Sequence, residues 1–105
     1  MTNAQNNGLQ YFVIIAEQKK KNKFLSLLGD YEAYGVQVVY AHGSANPNAF
    51  ASAFGFEVEQ NKVLISCLLK YDKAKELLET LYNEHNFKKP NTGIAFGVSV
   101  EGLAF

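Results

Sequence analysis

The sequence predicts one α+β domain in which two β-α-β halves follow one another. Three observations carry that prediction: two nearly unbroken apolar runs of strand length, two amphipathic stretches of helical period, and turn signals between them. The 105 residues suit a single core, and 48% hydrophobic against 19% charged is the balance of an ordinary globular chain. We take residues 1–8 as a flexible N-terminus and residues 9–105 as the domain.

LQYFVIIA, residues 9–16, is rich in β-branched and aromatic side chains and predicts a buried strand. Residues 18–33 place Phe24, Leu27, Leu28 and Tyr31 at helical spacing, with Lys19, Lys20, Lys21 and Lys23 beside the stripe as a solvated face or a surface for an anionic partner. Gly35 is expected to reset the chain before a second strand from Val36 to His42. Asn46 and Pro47 then form a helix-start signal, Phe50 and Phe54 stand four apart, and Gly55 can end the turn, so a short helix is expected at about 47–54. FEVEQNK, residues 56–62, suggests an exposed hairpin arm or loop.

VLISCLLK, residues 63–70, predicts another buried strand. Asp72 can cap the next helix, whose apolar stripe is Ala74, Leu77, Leu78, Leu81, Tyr82 and His85. KKPNTG, residues 88–93, is a turn. In the last strand, 94–100, the large residues Ile94, Phe96, Val98 and Val100 alternate with Ala95, Gly97 and Ser99, and the large face is expected to meet the helices. This order folds into a ferredoxin-like βαββαβ arrangement: a four-stranded antiparallel sheet with two helices on one face and strands 9–16 and 63–70 central.

A half-covered antiparallel sheet should alternate apolar and polar residues. Both faces of the two central runs are apolar instead, which predicts that the face away from the helices packs against other subunits. The alternative is that the termini or the 47–56 segment fold over it.

Composition narrows the chemistry. Equal numbers of basic and acidic residues give no net charge, against general nucleic-acid binding. No Arg is present, so an Arg phosphate cradle is excluded, and one cysteine, Cys67, cannot supply a thiol pair for a metal carrier. Cys67 suits a small buried hydrophobe, and a cytoplasmic location fits it. No run reaches the ~20 residues of a membrane span, so no membrane insertion is expected. No nucleotide-binding glycine motif, zinc-protease motif or nucleophile elbow occurs, and no catalytic or metal site is assigned. His85 falls in a last helical turn, where a cation favours the dipole, and His42 ends a strand as an exposed terminus or a ligand donor.

Two loops suit a small anion or nucleotide. His42-Gly43-Ser44-Ala45 leads into a helix N-terminus. The turn Lys88-Lys89-Pro90-Asn91-Thr92-Gly93 combines two ammonium groups, a hydroxyl, an amide and backbone donors.

KKPNTGIAFGVSVEG, residues 88–102, resembles the closing turn and strand of PII-family nitrogen regulatory proteins, most closely a divergent PII-like branch, and the Gly43-Ser44-Ala45 turn before a short helix is similar to that branch. The resemblance implies a homotrimer with its sheets facing inward. It also implies effector binding between subunits and control of a partner such as a transporter, enzyme or transcription factor. Nucleotide-binding groups would come from His42 to Ala45 and from Lys88, Lys89, Asn91, Thr92 and Gly93; Phe50, Phe54 and Phe56 would offer a partner contact. No cofactor is required; ATP, ADP or AMP would be an effector. The chain departs from the classical pattern: residues 46–55 hold no Tyr for uridylylation, Gly93-Ile94 stands for the classical Gly-Lys, and the C-terminal Arg-bearing segment is missing. A non-enzymatic regulator is the favoured expectation. A small oligomeric enzyme with His42 as acid/base and a purely structural oligomerisation module are the alternatives.

Overall fold

The computed structural model describes residues 8–41, 61–89 and 92–102. Strand β1 is Leu9–Glu17, followed by a 3-10 turn, Gln18–Lys20, and helix α1, Lys21–Asp30. Strand β2 is Tyr34–Ala41, β3 is Lys62–Lys70, α2 is Tyr71–Glu84 and β4 is Gly93–Ser99. The strands form one antiparallel sheet in the order β2-β3-β1-β4, so the two apolar runs are its centre, as the ferredoxin-like arrangement requires.

Alternation along the strands decides what each face buries. Phe12, Ile14 and Ala16 of β1, with Val63, Ile65, Cys67 and Leu69 of β3, point to the helix side and bury Phe24 and Leu28 of α1 and Ala74, Leu77 and Leu81 of α2. Tyr31, at the end of α1, shares a 2.7 Å hydrogen bond with the Thr80 hydroxyl of α2, tying the helices together. On the other face Val13 and Ile15 are buried and Leu64, Ile94 and Phe96 pack against them.

Four local expectations are corrected. The large face of β4 does not meet the helices. Ile94 and Phe96 pack with Val13 and Ile15 on the far face, while Ala95 joins the helix-side core. The reason is space: a Cβ at Gly93 would lie 2.5 Å from the Phe87 ring and one at Gly97 2.8 Å from the Gln10 side-chain oxygen, so this side of the strand takes small residues. Secondly, the first helix already ends at Glu32 (φ 62), and the second strand begins at Tyr34, before the Gly35 expected to precede it. The Ala33 amide donates to the Leu28 carbonyl and the Glu32 amide to Gly29, the double bond of a Schellman motif. Gly35 lies inside β2, at φ +57, in the irregular stretch between Tyr34 and Gln37.

Thirdly, Asp72 makes no cap. Helix α2 starts from Lys70 without a side-chain cap, and Asp72 sits in its first turn, where a carboxylate favours the dipole. Fourthly, Lys62 belongs to β3 and is buried, not part of an exposed arm. In the stripe of α2, Leu78 and Tyr82 are exposed flanks. The expected helix at 47–54 lies outside the described residues.

Candidate functional site

Strand pairing gathers several chain segments at one end of the sheet. Ala41, the last residue of β2, pairs with Lys62, the first of β3; Lys62 also pairs with Glu17, and Ala16 pairs with Gly93. The chain therefore leaves β2 and re-enters β3 at the same end at which the 88–93 turn delivers β4. With the order β2-β3-β1-β4, Ala41 and Gly93 stand on opposite edges. Three interstrand spacings separate them, roughly 14 Å.

An open recess of about 480 Å³ lies at this end, lined among the described residues by Glu17, Gln18, Lys19 and Asn61. Gln18 holds its wall: its backbone amide donates to the Asn61 carbonyl at 3.3 Å and its side-chain amide to the Lys62 carbonyl at 3.2 Å. The Glu17 carboxylate and Lys19 ammonium are 3.8 Å apart, a pair whose lysine is exposed and whose energetic weight is small. The Lys62 side chain is one of two polar side chains buried among the described residues, the other being Ser66.

The turn into β4 is built on aromatic contacts. After α2, Asn86 takes a left-handed conformation (φ 64), a position Asn tolerates well. The amides of His85 and Phe87 both donate to the Leu81 carbonyl, and the Lys89 amide donates to the Asn86 carbonyl. The rings of His85 and Phe87 stand edge-on to Phe24, with centroids 5.7 and 5.6 Å away. Phe87 then covers Gly93. Lys88 and Lys89 are left exposed at the tip. Behind the turn, Leu78, Leu81, Tyr82, Phe87, Gly93, Ile94 and Ala95 line an apolar recess of about 270 Å³.

Of the residues singled out from sequence, Lys88, Lys89, Thr92 and Gly93 are described and share this turn, whereas His42, Gly43, Ser44, Ala45, Phe50, Phe54, Phe56 and Asn91 lie outside the described residues. Gln18, Asn61 and Lys62 were not anticipated. Their sequence signal is slight: polar residues that abut the two long apolar runs at the ends which antiparallel pairing makes neighbours. His85 departs from its expected role as a helix-end cation, because burial and the nearby Lys23 lower its pKa below the usual histidine value. Among the described residues no group of three or more His, Cys, Asp or Glu could hold a metal ion, and no helix is long and apolar enough to cross a membrane.

The topology defines an antiparallel split β-α-β sheet at one end of which β2 ends and β3 and β4 begin. No family model matches the chain, and no curated protein matches it in sequence. Solved structures do match. A PII-like signalling protein from Thermus thermophilus superimposes with a TM-score of 0.65 at 18% identity, covering 88% of this chain and 86% of that one. CPII from Thiomonas intermedia, bound to ADP, AMP and acetate, gives 0.63 at 19% identity, covering 90% and 89%. CPII, described as a nitrogen regulatory PII-like protein, when bound to ADP, AMP and bicarbonate gives 0.57 at 18% identity, covering 88% and 93%. The chain has the fold of the PII-like signalling proteins.

Proposed function

We propose that this chain is a PII-like regulatory protein that binds a small anionic effector, of the adenine-nucleotide class, between subunits of a homotrimer and thereby modulates a partner protein in the cytoplasm. The observation that carries the proposal is a fold shared over nearly the whole chain with CPII, itself seen with ADP, AMP and either acetate or bicarbonate. The layout of the sheet supports a site between subunits. Ala41 and Gly93 stand on opposite edges of one sheet, and a second copy with its β2 edge beside the β4 edge of the first would bring the two segments together. Lys88, Lys89, Asn91, Thr92 and Gly93 would supply one wall, and His42, Gly43, Ser44 and Ala45 the other. With no Arg in the chain, lysines and backbone amides would carry the phosphate contacts.

The sheet's far face supports assembly. Tyr34, Leu68, Tyr11 and Val98 pair in a row across all four strands, and Tyr34, Tyr11 and Val98 are exposed large apolar or aromatic side chains. In this reading an effector reorders the segment between β2 and β3, where Phe50, Phe54 and Phe56 form the partner contact. The partner would be a transporter, an enzyme or a transcription factor.

Thermal melting with ATP, ADP and AMP, each with and without acetate or bicarbonate, tests the proposal. At a ligand concentration about 100-fold above Kd the native state gains about 2.7 kcal/mol, which raises Tm by several degrees or more. Lys88→Ala combined with Lys89→Ala should reduce that rise. No response to any nucleotide at millimolar concentration would overturn the assignment of the effector class.

A further inference from the structure

The aromatic cluster beneath the turn contains a titratable member. The Nδ1 atom of His85 is buried and has no hydrogen-bond partner. Its ring stands edge-on to Phe24, which in turn stands edge-on to Phe87, and Phe87 covers Gly93. A single line of contacts thus runs from the imidazole to the start of β4. We propose that His85 makes the seating of Phe87 against Phe24 and Gly93 sensitive to protons: the neutral ring holds Phe87 on Phe24, and the protonated ring loosens it.

The physical reason is that protonation turns a buried, unpartnered acceptor into a buried, charged donor with no acceptor. The charged groups around it make matters worse. Lys23 of α1 and Lys20 of the 3-10 turn oppose a charge on the ring, and Glu84 of α2 alone favours it. Phe87, the turn residue in the same cluster, is uncharged. Burial is the largest of the influences, and together they lower the pKa from 6.5. The native state therefore binds fewer protons than the opened state as pH falls below 6.5. The contribution of His85 is intact above that value, declines as pH falls toward its native pKa, and levels off below it. The device works whether or not the turn binds an effector.

The test is NMR of the full chain from pH 8 to 4.5 in about ten steps, following the imidazole of His85, the Phe87 ring and the Gly93 amide. The three should move with one midpoint. Protection of the Phe87 and Lys89 amides, corrected for intrinsic exchange, should fall by up to about tenfold per pH unit between 6.5 and that midpoint. In His85→Phe, which keeps a ring against Phe24, the Phe87 and Gly93 signals and the protection should be flat over the same range. Constant Phe87 and Gly93 signals through the wild-type His85 titration would overturn the proposal, as would the same loss of protection in His85→Phe. The wild-type titration decides alone if the variant does not fold, and His42, the other histidine, is separated by its own resonance.

Discussion

The ring of Phe87 occupies the space a side chain at Gly93 would need: a Cβ there would lie 2.5 Å from the ring's Cζ and 2.8 Å from Cε2. Phe87 cannot retreat freely, because it is packed edge-on to Phe24, which is fully buried.

Gly93→Ala should therefore destabilise the fold by about 1–3 kcal/mol, as overpacking does. The same change at Gly29, in the last turn of α1 with nothing within 4 Å, should stabilise by about 0.4–1 kcal/mol. Urea melts of the two variants check the contrast, and equal effects would show that the Phe87 contact is unimportant.

Tyr31→Phe removes the hydroxyl that reaches Thr80 and leaves the ring in place. The loss should be about 1 kcal/mol. The doubly substituted Tyr31→Phe, Thr80→Val chain should lose less than the sum of the single changes, which a double-mutant cycle in denaturant measures directly.

Burial pushes the Cys67 thiol up to about 11. At pH 8 the native chain should react with a thiol reagent such as DTNB only at the rate at which it opens, and at once in 6 M guanidinium as the control condition. Ionising the thiol is opposed in the fold, so alkaline pH above 9.0, the ordinary value, should reduce stability. Rapid labelling of the native chain at pH 8 would contradict this placement.

Val98→Lys alters a residue that is 52% exposed on the face away from the helices. The change should leave the unfolding free energy of the isolated chain within about 0.5 kcal/mol. Sedimentation should show the wild-type chain as an oligomer and the variant shifted toward monomer. A monomeric wild type at tens of micromolar would remove the basis for a site between subunits.

Strand and helix order was legible because each signal is local. Seven of the eight residues from Leu9 to Ala16, all but Gln10, are apolar or aromatic and suit a strand covered on both sides, and Phe24 with Leu28 marks a helix by its spacing. The 88–93 turn was legible from its Pro, Asn and Gly. The walls of the recess were not: Gln18 and Asn61 are 43 positions apart in sequence, and antiparallel pairing of β1 with β3 alone makes them neighbours. Lys62 was equally obscure, since a lysine at the edge of an apolar run ordinarily lies in solvent.

The residues by themselves settled that β4 has one bulky face and one small one, and that the central strands are apolar on both sides. Which face of β4 turns toward the helices was settled by the packed domain. Phe87 comes from beyond the second helix and leaves no room for a Cβ at Gly93, and Gln10 of β1 crowds the place a Cβ would take at Gly97, so the small face of β4 is the one that fits on that side. Periodicity records that two faces differ, but the choice between them is a matter of volume, and volume is shared among segments that meet only after folding.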